Sequence, residues 1–204
     1  QGFLPETLVM GWIDQICDVL SYLHAHKPPV VFRDLKPSNV MVDTRGRIKL
    51  IDFGIARFFK TGKASDTQAM GTPGYAAPEQ FGTGQTDARS DVYSLGVLLH
   101  QLLTRYEPWT TPFNLPPPRN INPAISSTAE AVIFKATMSS PIDRFQTVVE
   151  LNNALHSQVP ALKPASKSNP QPVRQPQPVS PIGSQIPPGA FTAIPVAIPR
   201  RKSS

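Results

Sequence analysis

The chain has 204 residues, with 20 Lys and Arg against 14 Asp and Glu, a net charge of +6 and one cysteine. That length allows one domain with extensions, and a lone Cys17 excludes an internal disulfide and suits a reducing, cytoplasmic setting. Six of the basic residues, Lys163, Lys167, Arg174, Arg200, Arg201 and Lys202, follow His156 with no acidic residue among them, so the body is neutral and argues against a nucleic-acid-binding face.

Residues 5 to 26 read as a helix. Leu8, Trp12, Ile16, Val19, Leu20 and Leu23 recur at three- and four-residue spacing, which makes one apolar stripe. Pro5 suits a first-turn position and Lys27-Pro28-Pro29 ends the helix. Cys17 and His24 fall within it, and packing is the role expected of both.

The stretch VVFRDLKPSNVMV, residues 30 to 42, places Arg33, Asp34, Lys36 and Asn39 between apolar neighbours. Burying such groups costs several kcal/mol unless they are paired or used. Two short strands are expected near Val40 to Val42 and Arg47 to Ile51, joined by the turn residues Asp43-Thr44-Arg45-Gly46. A hairpin brings its open ends together, so Asn39 and Asp52 come side by side. Mg²⁺ takes one or two carboxylates and leaves its other positions to water and phosphate oxygens. With Asp34 as a proton acceptor and Lys36 as a phosphate holder at the same end, the group forms a phosphoryl-transfer constellation.

Residues 90 to 103 are apolar nearly all round and predict a central buried helix. Asp91 at its start is either an N-terminal helix charge or something more specific. Ser127-Thr128-Ala129-Glu130 reads as a capping box, and residues 145 to 155 as a last helix. From Val159 to Pro199 prolines recur with Ser, Gln and Ala between them. Such a tail is expected to be disordered, polyproline-like chain serving as a linker.

In order along the chain stand FRDLKPSN (32–39), DFG (52–54), GTPGYAAPE (71–79), SDVYSLG (90–96) and DRF (143–145). With these motifs the sequence resembles the C-terminal, large lobe of a protein Ser/Thr kinase, most like the eukaryotic-like kinases of bacteria. The resemblance covers about residues 1 to 156. It implies an α+β fold: a mainly helical large lobe with a short catalytic β-hairpin, the small lobe absent, and a Pro-rich tail over 157–204. It implies transfer of the γ-phosphoryl group of ATP to Ser or Thr hydroxyls of proteins, with Mg²⁺.

On that resemblance Asp34 would orient the substrate hydroxyl and accept its proton, and Lys36 would steady the transferred group. Asn39 and Asp52 would hold Mg²⁺, Met41 would floor the adenine pocket, and Thr72 would contact Asp34 and help admit a hydroxyl side chain. Asp91 would fix the loop backbone, and Glu79 and Arg144 would form a buried ion pair. Arg33 would grip a phosphate on the activation segment, where Thr61, Ser65 and Thr67 are candidates. Phe32 replaces the usual histidine and would keep its stacking near Phe53.

The larger departure is that the family's glycine-rich loop, strand lysine and helix glutamate have no counterpart in the sequence. The only G-x-G is Gly82 to Gly84, after the APE motif. The chain is therefore expected to be part of a longer kinase, weak or inactive alone. The alternative is a non-catalytic lobe kept as a scaffold. Residues 105 to 123 look too proline-rich for a normal substrate-docking helix. No nucleic acid is expected as a partner, and a membrane only if a spanning helix follows Ser204.

Overall fold

Pro5 occupies the N-cap of α1 (Glu6–His24), where its fixed φ of −58° prepares the first turn. The buried stripe of α1 is Val9, Trp12, Ile13, Ile16, Cys17 and Leu20. It is turned slightly from the expected one, so that Leu8 is exposed and Val9 takes the inward position. The computed structural model describes residues 2–54, 56–58, 71–82, 86–157 and 192–193.

α2 (Ala88–Thr104) is the centre of the molecule, and every residue from Ser90 to Thr104 is buried. Asp87 caps it by accepting from Arg89 N. α4 (Ser127–Ala136) and α5 (Val148–His156) pack with α1 against α2, and their inward residues join one apolar core. Gly96 permits the close approach of α2 to α4: a Cβ there would stand 2.6 Å from Ala136 Cβ. The cap of α4 is Ser126, whose hydroxyl accepts from Ala129 N, one residue before the expected capping box. The last helix starts at Val148, with Thr147 as its cap, three residues later than its pattern predicts. Between α2 and α4, the proline-rich stretch forms a 3₁₀ turn (Pro108–Thr110) and the single-turn α3 (Pro118–Ile121).

The strands are short. β1 (Val30–Val31) pairs antiparallel with β4 (Arg57–Phe58). β2 (Val40–Val42) and β3 (Ile48–Leu50) make the expected hairpin. Its turn is set by Asp43, whose carboxylate accepts from Arg45 N and Arg47 N, and by Gly46 at φ +76°. The hairpin is seated on α1 by Gln15, which accepts from Ile48 N and donates to Gly46 O. Thr192 and Ala193, expected to be irregular, form β5 on the free edge of β2, where Met41 faces Ala193 and Val42 faces Thr192. An open strand edge offers backbone partners that a proline-rich composition does not reveal.

Candidate active site

β1 delivers the chain directly into the loop that begins at Phe32, and a 3₁₀ turn (Pro37–Asn39) carries it on into β2. The loop is pinned from below by Asp91 in the first turn of α2. Its fully buried carboxylate accepts from Phe32 N at 2.8 Å, from Arg33 N at 2.7 Å and from His24 Nε2 at 2.7 Å. Arg33 is thereby held at φ +71°, a conformation unfavourable for a residue with a side chain. Gln80 adds a second tether by donating to Arg33 O at 2.9 Å.

Asp34 follows at once, and both its oxygens are engaged. Oδ1 accepts from the Thr72 hydroxyl at 2.7 Å. Oδ2 is 2.8 Å from Lys36 Nζ and accepts from Asn39 Nδ2 at 2.9 Å. Lys36 also donates to Thr72 Oγ1 at 2.8 Å. Asp34, Lys36, Asn39 and Thr72 thus form one partly exposed network, with a cation and a carboxylate in charge-assisted contact.

Asp52 is joined to this group through the backbone: Ile51 N donates to Asn39 O at 2.9 Å, closing the open end of the hairpin. Asp52 is exposed, sits at φ +61° and accepts from Gly54 N at 3.1 Å. Met41 is half-buried in the middle of β2. The amide nitrogen of Asn39 is spent on Asp34 O and Oδ2, which leaves its oxygen as the group for a cation. An amide oxygen and an exposed carboxylate are the hard donors that Mg²⁺ accepts, so the residues present fit that ion. Among the described residues no cluster of three or more His, Cys, Asp or Glu side chains makes an all-protein metal cage.

Around this centre, Phe32 is fully buried and meets Phe53 edge to face, ring centroids 5.2 Å apart. Arg33 is buried, and its guanidinium donates to the Thr86 hydroxyl. Arg144 makes a bidentate pair with Glu79 at 2.7 and 2.8 Å, donates to the carbonyls of Met138, Ser139 and Arg89, and lies over the Tyr93 ring. Thr61, Ser65 and Thr67 lie outside the described residues. Two contributors escaped the sequence reading. His24 is a hydrogen-bond donor to Asp91 as well as a packing residue, and Gln80 bridges Arg33 O and Ala77 N. His24 and Asp91 are 67 positions apart, so no local pattern could have joined them.

A helical body around a buried central helix, bearing a strained loop with a clamped aspartate beside a short hairpin, defines a protein kinase-like fold. Residues 1–164 match the protein kinase domain family, and the chain belongs to it. It is 35% identical over 165 residues to the serine/threonine-protein kinase PknB of Mycobacterium tuberculosis, covering 74% of this chain and 26% of that protein. It is similar also to serine/threonine-protein kinase Pkn1 of Myxococcus xanthus (36% over 174 residues; 74% of this chain, 24% of that one). With serine/threonine-protein kinase PrkC of Bacillus subtilis it shares 32% over 162 residues, covering 74% of this chain and 25% of that one. The chain spans about a quarter of the length of these relatives. The family uses ATP and Mg²⁺.

Proposed function

We propose that this chain supplies the large-lobe half of a protein Ser/Thr kinase, moving the γ-phosphoryl group of ATP to protein Ser or Thr hydroxyls. The observation that carries the reading is the Asp34 network: a carboxylate with one oxygen on Thr72 and the other on Lys36 and Asn39. Fixed in this way, Asp34 would orient an incoming hydroxyl and take its proton as the new P–O bond forms and the bond between the γ-phosphorus and the β-phosphate oxygen breaks, with ADP leaving. Thr72, hydrogen-bonded to Asp34, lines the place where a short hydroxyl-bearing side chain enters. Lys36 holds a positive charge where the transferred group gains negative charge. Asn39 Oδ1 and Asp52 hold Mg²⁺, which neutralises phosphate charge when bound. Met41 would lie under the adenine, and Arg33 would bind the phosphate carried by Thr61, Ser65 or Thr67 once one of them is phosphorylated.

Residues 1–156 form the kinase unit in this reading, and 157–204 a basic, proline-rich tail or linker. The compartment is cytoplasmic, as one buried free cysteine suits. Among the described residues no helix is long and apolar enough to cross a membrane. Phosphoryl transfer needs positioning groups on both sides of the nucleotide, so the chain by itself is weak or inactive. The test is to fuse the small lobe of a related kinase before Gln1 and follow radiolabel from γ-labelled ATP into a basic protein. The reading expects Mg²⁺-dependent label on Ser or Thr in the fusion and little in the unfused chain. No label from a folded fusion overturns it.

A further inference from the structure

A two-stranded hairpin has two outer edges, each a row of N–H and C=O groups open to another strand. The edge of β3 is covered by α1, through the Gln15 bonds to Ile48 N and Gly46 O. The edge of β2 is covered by β5, a piece of the tail about 150 residues further along the chain. Antiparallel ladders alternate, and the phase of this one is fixed. Ile51 N donates to Asn39 O, and Asp43 N donates to Arg47 O. The odd-numbered residues Asn39, Met41 and Asp43 therefore bond toward β3. Val40 and Val42 direct their N–H and C=O groups outward, and Thr192 stands opposite Val42. Thr192 thus exchanges backbone bonds with β2, while the N–H of Ala193 points away from it.

We propose that the outer edge of β2 is a docking site whose occupant is the chain's own tail at Thr192–Ala193. The tail then acts as a tethered ligand of the hairpin that carries Met41 and ends at Asn39. The tether, residues 158 to 191, separates β5 from the last described residue after α5. The covalent connection makes the pairing intramolecular, with an effective concentration on the order of millimolar. The segment AFTAIPVAIP, residues 190 to 199, carries no charge and is rich in Ile, Val and Thr, as strand addition prefers.

Residue-resolved amide hydrogen exchange on the full chain tests this, without nucleotide or metal. Val42 N–H is shielded by the tail and Met41 N–H by β3, so Met41 is the internal control. Deleting residues 188–204 is expected to speed exchange at Val42 by roughly tenfold or more and to leave Met41 unchanged. Thr192→Pro removes the facing N–H and reproduces the deletion, whereas Ala193→Pro preserves protection. Equal exchange at Val42 with and without the tail overturns the proposal. So does protection that rises with protein concentration together with dimer formation, which assigns the strand to a second copy. A loss in Ala193→Pro as large as in Thr192→Pro overturns the assigned register.

Discussion

Asp91 accepts the backbone N–H of Arg33 at 2.7 Å, and Arg33, at φ +71°, is the residue immediately before Asp34. A non-glycine residue held there costs about 1–3 kcal/mol, and the strain persists because a fully buried carboxylate receives the N–H groups of both Phe32 and Arg33. Asp91→Asn offers one acceptor oxygen for the two loop N–H groups and an NH₂ where only donors are waiting. The expected loss is about 1–3 kcal/mol in urea unfolding. Exchange at Phe32 and Arg33 should accelerate ahead of that at Ile13. Unchanged exchange at those two amides would show that the loop is held by something else.

The Glu79–Arg144 pair joins the segment after Thr72 to the start of the last helices. Arg144 has a fully buried side chain and Glu79 a nearly buried one. Arg144→Ala leaves the carboxylate with only the Ser90 hydroxyl and three carbonyls without their Arg144 donor, and should cost about 3–5 kcal/mol. Glu79→Gln with Arg144→Met, which removes both charges, should cost less. A loss below about 1 kcal/mol for Arg144→Ala in denaturant melts would contradict burial of the pair.

Gly96 sits where α2 meets α4. A methyl group there would lie 2.6 Å from Ala136 Cβ and 3.0 Å from Thr137 Cγ2. Gly96→Ala should therefore lose about 1–3 kcal/mol through overpacking, although alanine favours a helix. A thermal melt raised by this substitution would mean that the helices separate at no cost.

Cys17 faces the core between α1 and its neighbours. Burial, with smaller contributions from Asp14 and Asp18, pushes its thiol up to about 12. The thiol stays protonated at neutral pH, with a thiolate fraction at pH 8 on the order of 10⁻⁴. Iodoacetamide should label the folded chain far more slowly than the urea-unfolded one. Equal rates would place the sulfur in solvent.

Much of the helical body was legible because it rests on local periodicity: the stripe of α1 and the all-round apolar α2 both announce themselves. The errors are local competitions. Ser126 and Ser127 are adjacent possible caps, and only packing, with Ser126 also bonded to Glu6, selects the first. The hairpin could be placed from its turn residues, but the positive φ of Arg33 and Asp52 could not, since neither is a glycine. His24 on Asp91, Gln80 on Arg33 and β5 on β2 all depend on partners far away in sequence. Such pairings leave no spacing to read.

The most direct test of the central claim is the phosphoryl-transfer rate of the small-lobe fusion carrying Asp34→Asn. Asparagine keeps the shape of the side chain and its acceptor toward Thr72 but cannot take a proton. A folded Asp34→Asn fusion is expected to lose activity by a factor on the order of 10² or more. Activity within a few-fold of the parent would contradict the assignment of Asp34 as the group that receives the hydroxyl proton.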